Sequence, residues 1–382
     1  MAGLYIHIPF CRQKCLYCDF VSYPCPERAG DFVLALEQEI RLAARAYPSL
    51  PEFDTIFFGG GTPSLLRGEQ ICRILTALRE NFQIATDGEI SLEANPGTVT
   101  GDFLTACRAA GVNRLSFGVQ SMQDDLLSAI GRIHRSEDFL NSLALARKAG
   151  FENINADVMH GLPGQRQEDY LDTLKIICDL GLPHISSYAL ILEEGTPLFD
   201  LVSTGKVTLP SEDAVADMED AGIAYLKERG YHRYEISNFA LPGYPCRHNL
   251  NYWANGEYLS FGPAAHSCLR LDGKWTRWSN RCDLDGYIDD IASGRLPLKE
   301  QRVIPRGEEM FETLMVGLRT AQGVDRAAFA ARFGQTLEDA YPQALLELEK
   351  RGWLSPSPSH LALNERGLDM NNAAIGLFLK AE

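Results

Sequence analysis

The sequence predicts an α/β fold: a partial (β/α)6 TIM-like barrel followed by a smaller, mostly helical C-terminal domain of winged-helix-like character. Three observations predict it. Short β-rich apolar runs alternate with segments of helical period through the first two thirds of the chain. Polar or glycine-rich residues sit at the C-terminal ends of five successive runs. Past residue 235 the alternation weakens, and helical periodicity returns near the C-terminus.

The strand-like runs are 3–8, 53–58, 88–93, 113–119, 152–158 and 184–192. Helical segments follow at 31–47, 68–83, 101–110, 136–150, 166–180 and 212–229. The first of these groups Phe32, Leu34, Leu36, Ile40 and Leu42 roughly on one side. Alternation of this kind implies βαβ crossovers and a parallel sheet. Two arrangements fit, a doubly wound open sheet and a partial barrel. An open sheet gathers its functional residues at one switch point. A curled sheet gathers strand ends around a mouth. Here the cysteines follow the first strand, Gly59 to Pro63 the second, Glu93 ends the third, Gln120 follows the fourth and Asp157 ends the fifth. That spread favours the partial barrel.

Residues 241–300 are rich in Gly, Pro, Asn, Trp and Tyr with weak periodicity, so an irregular segment is expected there. Residues 307–322 and 326–351 read as helices, and a short strand pair is expected around 353–363. The implied divisions are 1–235 for the barrel, 236–300 for the irregular segment and 301–382 for the C-terminal domain.

Composition sets the class. The 382 residues are 45% hydrophobic and 23% charged, as in soluble globular proteins. No apolar run reaches the roughly 18 residues of a spanning helix. The N-terminus lacks the basic and apolar regions of a secretory signal, so a cytoplasmic protein with reduced cysteines is expected. A net charge of −15 opposes a nucleic-acid-binding face.

Three of ten cysteines fall together, as Cys11-x3-Cys15-x2-Cys18. Cys72, Cys107 and Cys178 lie in helical segments and read as small buried hydrophobes. Cys25, Cys246, Cys268 and Cys282 have no metal-like spacing. The triplet differs, because a short loop can wrap its thiolates around one centre. Structural zinc takes four ligands, and the nearest nitrogen, His7, lies within the strand. Iron–sulfur clusters take thiolates, usually four. Three thiolates on a four-iron cube leave one iron open to a cofactor or substrate.

The neighbouring features have plain readings as well. Gly59-Gly60-Gly61-Thr62 could be a tight turn or a close approach of backbone to a ligand. Glu93 could cap a helix, or it could meet a ribose hydroxyl or an ammonium. Arg132 suits a carboxylate. Gln120 and Asp157 suit ribose hydroxyls.

The Cys-x3-Cys-x2-Cys motif after a first strand resembles the radical S-adenosylmethionine (SAM) superfamily, and Tyr17 is the aromatic residue usual before the last cysteine there. That resemblance implies a [4Fe–4S] cluster on Cys11, Cys15 and Cys18, with SAM on the fourth iron. It further implies that Gly60, Gly61 and Thr62 receive the methionyl amine and that Glu93, Gln120, Arg132 and Asp157 bind SAM. Tyr5 matches a position beside the cluster and joins the SAM-binding set that the resemblance implies. With "YEISNFA" at 234–240 and "FGPAAHS" at 261–267, the chain resembles the oxygen-independent coproporphyrinogen III dehydrogenases and their relatives along nearly its whole length.

Two departures bear on activity. The dehydrogenases carry a further cysteine where this chain has Phe20, and they carry an N-terminal extension where this motif begins almost at once. Both argue against porphyrinogen decarboxylation. "CRHNLNYW" at 246–253 is similar to the HNxxYW signature of HemW-type haem chaperones. A neutral imidazole ligates haem iron and aromatic rings pack on a porphyrin face. The resemblance therefore implies haem at His248, Tyr252 and Trp253, with His266 as a second candidate. The expected protein binds haem and the cluster, accepts electrons from a donor, and delivers haem to a respiratory, membrane-associated apoprotein; a homodimer is left open. The alternatives are coproporphyrinogen III oxidation and another radical-SAM reaction of haem metabolism.

Overall fold

The computed structural model describes residues 1–379. Six βα units come first: β1 (Ala2–Ile8), α1 (Ala29–Ala46), β2 (Phe53–Gly60), α2 (Gly68–Asn81), β3 (Ile84–Ala94), α3 (Gly101–Ala109), β4 (Arg114–Gln120), α4 (Asp124–Ala129), α5 (Ser136–Lys148), β5 (Asn153–His160), α6 (Gln167–Asp179) and β6 (His184–Ala189). Then come α7 (Pro197–Ser203), α8 (Glu212–Glu228), β7 (His232–Arg233) and β8 (Asn238–Ala240). Strands β1 to β6 lie in sequential order and pair in parallel. Inward side chains from all six, among them Tyr5, Phe57, Glu93, Ser116, Asp157 and Tyr188, border one internal cavity of about 200 Å³. A flat sheet could not aim six strands at one space, so the sheet is curled as expected.

The segment 241–300 is not irregular. It forms α9 (Arg247–Trp253), β9 (Glu257–Phe261), β10 (His266–Leu271), β11 (Lys274–Asn280) and α10 (Leu284–Ala292), and β12 (Leu298–Val303) closes it. Strand β9 pairs in parallel with the free edge of β1, and β10 to β12 continue antiparallel, giving a sheet of twelve strands. The physical reason is the open edge of β1, whose unpaired backbone groups a further strand satisfies. A two-residue turn of Asp272 and Gly273, both at positive φ, joins β10 to β11.

Buried Glu39 on α1 fastens this extension. It accepts from the Gly262 amide at 2.9 Å, from Asn280 at 2.6 Å and from the Tyr287 hydroxyl at 2.6 Å. Burial pushes its pKa up to about 7 despite those donors. On α1 the face toward the sheet is Phe32, Leu36 and Ile40, while Leu34 is 58% exposed. Leu34 stands two residues from Phe32, which puts it on the far side of a helix of 3.6 residues per turn.

The C-terminal region contains α11 (Arg306–Gly317), β13 (Val324–Asp325), α12 (Arg326–Phe333), α13 (Leu337–Ala340), α14 (Pro342–Arg351), β14 (His360–Leu361), α15 (Glu365–Asp369) and α16 (Asn371–Gly376) around its own apolar core. The helical stretch 326–351 is broken twice, by left-handed Gly334 at φ 62° and by Pro342. The strand pair expected at 353–363 is a single Leu354–Leu363 bridge, and His360–Leu361 pairs with β13 instead. No helix among the described residues is long and apolar enough to cross a membrane.

Helix α9 packs against β1 and β2 near their N-terminal ends. Its first amides, from Arg247 and His248, donate to Glu89 on β3, each at 3.1 Å. Removing that acceptor leaves buried donors unpaired, at about 1–3 kcal/mol. Glu89→Ala is therefore expected to lower the urea midpoint of unfolding by a corresponding amount; an unchanged midpoint would show that α9 seats without this cap.

Candidate functional site

The cysteine loop begins where β1 ends. Its backbone closes on itself, with Tyr23 N–H donating to Pro9 at 2.8 Å and Cys11 N–H donating to Tyr23 at 3.1 Å. Two further bonds pin its middle: Leu16 N–H donates to Ile130, and Leu198 N–H donates to Leu16. The three thiols so held line a cleft of about 520 Å³ together with Gly60, Gly61 and Thr62. All ten cysteines are free thiols. Among the described residues no group of His, Cys, Asp or Glu closes to single-ion distances. A cubane does not need that convergence, since each thiolate binds its own iron. The donor set and the volume of the cleft fit such a cluster.

The end of β2 supplies the second wall. Gly60 has φ +105°, and a Cβ there would stand 2.5 Å from the His7 ring. A Cβ on Gly61 would stand 2.6 Å from the Phe10 carbonyl oxygen. Only glycine lets the two backbones approach this closely. His7 is itself held at 2.8 Å from the Val21 carbonyl.

A chain of polar contacts rings the cleft. Thr62 Oγ1 lies 3.5 Å from Cys11 Sγ and accepts from Asn95 Nδ2 at 2.9 Å. Asn95 Oδ1 accepts from Arg132 Nη2 at 2.8 Å. Arg132 Nη1 donates to Cys15 Sγ at 3.6 Å, and Nη2 also reaches the Gly118 carbonyl. Gln120 sits at φ 64°, where the β4–β5 register shifts, so its side chain turns toward the cleft at a strained position.

Two acids form the inner wall. Glu93 accepts from Gly60 N–H at 3.3 Å. Burial, then the neighbouring Asp157, pushes its pKa up to about 8. Asp157 accepts from Asn155 at 2.8 Å and Ser116 at 3.2 Å, and burial raises it as well. Both acids are half-buried and border the cleft and the inner cavity alike. Phe20 lies 60% exposed and borders the same cleft.

Tyr5 borders the inner cavity rather than the cleft, 3.2 Å from His7 Nδ1. That cavity shares Glu93, Ser116, Asp157 and Tyr188 with the cleft. Its far wall contains His248 and Tyr252. His248 is 1% exposed and stacks on Phe57 at 5.1 Å. Both of its ring nitrogens are engaged, Nδ1 with Thr55 at 2.8 Å and Nε2 with Tyr252 at 3.1 Å. Burial, with Arg114 adding, lowers its pKa to about 3, so the imidazole is neutral. Trp253 faces a separate cavity, and His266 is exposed at the start of β10. The motif thus stands across the barrel interior from the thiols.

Three cleft or cavity residues carried little signal in the sequence. Asn95 is visible there only as a turn residue before proline. Ser116 and Tyr188 are ordinary strand residues until the curl aims them inward.

Known proteins resemble the chain along nearly its whole length. Residues 5–177 match the model of the radical SAM superfamily, and residues 304–370 match the HemN C-terminal domain. The chain is 37% identical to the haem chaperone HemW of Bacillus subtilis, over 99% of each. It is 38% identical to HemW of Escherichia coli, over 99% of this chain and 98% of that one. Among solved structures, coproporphyrinogen III oxidase (HemN) from Escherichia coli superposes with a TM-score of 0.83 at 26% identity, covering 99% of this chain and 89% of that one.

The glycine wall is testable through stability and iron content. Gly61→Ala forces a Cβ against the Phe10 carbonyl and should destabilise the protein by about 1–3 kcal/mol. It should also lower the iron retained after anaerobic reconstitution. Gly30→Ala, whose Cβ meets nothing within 4 Å, is the control. Equal stability and iron content in the two variants would refute the close-approach argument.

Proposed function

The chain belongs to the HemW haem chaperone family of the radical SAM superfamily, and from that we propose that it takes up haem at its HNxxYW segment and passes it to a respiratory haem apoprotein. The observation that carries this reading is full-length similarity to haem chaperones combined with a glycine-walled, three-thiol cleft. The family implies a [4Fe–4S] cluster and SAM. Such a cluster, when bound, supplies an electron to the sulfonium of SAM.

The remaining roles belong to the chain's own residues. Cys11, Cys15 and Cys18 hold the cluster. Gly60, Gly61 and Thr62 offer backbone and hydroxyl to the methionyl amine, and Glu93 balances its charge. Arg132 receives the carboxylate. Gln120 and Asp157 take ribose hydroxyls, and Tyr5 supports the floor beneath them. Tyr252 and Trp253 offer aromatic faces to the porphyrin. His248, with both nitrogens occupied, orients Tyr252 rather than meeting the iron in this arrangement. A cytoplasmic location, a dedicated electron donor and a membrane-associated recipient complete the proposal.

Coproporphyrinogen oxidation is the second reading, favoured by the superposition on the oxidase. Phe20 at the cleft weighs against it, because it puts an apolar ring where the dehydrogenases carry a cysteine.

The deciding experiment uses one anaerobically reconstituted sample. Haem titration should show saturable binding, and SAM, reductant and coproporphyrinogen should give no protoporphyrinogen. Turnover would replace the chaperone reading with the enzymatic one. His248→Ala should weaken haem binding without moving the Soret maximum; a moved maximum would make His248 an iron ligand.

SAM binding should depend on pH with a definite sign. With the Glu93 pKa at about 8 in the unliganded protein, a cation binds its ionised form and a proton leaves. Affinity should therefore rise with pH up to about 8, by at most about tenfold per unit, and then level off. Glu93→Gln should flatten the profile; a slope that survives this change would assign the proton elsewhere.

A further inference from the structure

Four residues on the wall of one cavity each carry a buried polar atom without a hydrogen-bond partner among the described residues: Glu235 Oε1, Asn238 Oδ1, Trp253 Nε1 and Arg319 Nε. The cavity measures about 350 Å³, and α9 contributes Asn249 and Tyr252 to its wall. It lies where the barrel meets the C-terminal region. Arg319 follows α11 and is set in place by a backbone bridge between Glu235 and Thr320 and by Ala321 N–H donating to Tyr234 at 3.0 Å. Its guanidinium carbon stands 6.0 Å from the centre of the Trp253 ring.

Each buried donor left unpaired costs about 1–3 kcal/mol, so folded proteins rarely leave several in one place without a ligand or water to meet them. Two of these four atoms are N–H donors from planar groups, and one belongs to an arginine. An arginine beside a second N–H donor is the usual receptor for a carboxylate. The indole and phenol faces next to it suit a flat ring. Glu235 shares the cavity wall with the arginine, and burial raises its pKa.

We propose that this cavity is a carboxylate subsite, with Arg319 and Trp253 as donors, and that it receives a propionate of the haem. The proposal rests on the haem reading above and extends it. The same short helix, α9, buries His248 on the barrel side and presents Asn249, Tyr252 and Trp253 to the Arg319 cavity. Haem would thus be held by its acidic edge on the motif's second face, with the C-terminal region supplying the charge. Tyr188 borders this cavity, the inner cavity and the thiol cleft alike, so the subsite adjoins the rest of the interior.

The full-length protein is titrated with haem and with haem dimethyl ester, following the Soret band. Esterifying the propionates should weaken binding about ten- to a hundredfold, the worth of one charge-assisted hydrogen-bonded contact. Arg319→Leu should weaken haem binding by a similar factor and bind the ester as the unaltered protein does. Equal haem affinity in Arg319→Leu and the unaltered protein overturns the subsite while leaving haem binding intact. Failure of the unaltered protein to bind haem overturns both readings. If Arg319→Leu does not fold, the ester comparison on the unaltered protein decides alone, and equal binding of ester and haem rejects the subsite.

Discussion

The approach of the Gly60–Gly61 backbone to the cysteine loop is the constraint on which the site depends. A side chain at either position would strike the His7 ring or the Phe10 carbonyl. Because both are glycine, the loop lies flat against the end of β2, and Thr62 comes within reach of Cys11. From Thr62 the contacts pass through Asn95 to Arg132 and back to Cys15. The thiols are therefore placed by two neighbouring strand ends and by a half-buried arginine, and not by the short loop alone. Preorganisation of this kind is what lets a loop hold an open metal centre.

Below the thiols, desolvation sets the protonation states. Glu93 and Asp157 are both raised by burial, and His248 and His184 are both lowered by it. Arg114, almost wholly buried, borders the same inner cavity, and its Nε has no partner among the described residues. The interior thus holds one fixed cation, Arg114, among acids and histidines that burial biases toward their neutral forms. A cation at the Glu93 end turns that neutral acid into a carboxylate, and the polarity of the cleft changes with occupancy.

The HNxxYW helix and the thiol cleft stand on opposite sides of the barrel interior, with Tyr188 bordering the spaces between them. Glu89 fixes the start of the helix, and His248 fixes Tyr252. Trp253, one residue further, leaves the barrel and meets Arg319. A single short helix thereby connects the barrel to the C-terminal region. This gives a physical reason for a conspicuous motif whose histidine is inaccessible: the buried histidine aims the aromatic residues that follow it.

Much of this was legible in the chain. The alternation of β-rich and helical runs specified six parallel strands, because only crossovers of that length connect them. Cys11, Cys15, Cys18, Gly60, Gly61 and Glu93 announced a cleft, because strand ends in a curled sheet share one mouth. The hairpin at Asp272-Gly273 was also written there, yet aromatic and glycine residues around it masked a period of two. Leu34 was misplaced because apolar spacing in a short helix does not fix its inner face alone. What only the tertiary structure decided were meetings between residues distant in sequence. Strand β9 joined β1, Glu39 met Asn280, and Arg319 came to Trp253 and Glu235. Local pattern records which residues can be buried, but packing alone selects which of them share a cavity and which polar atoms are left there without a partner.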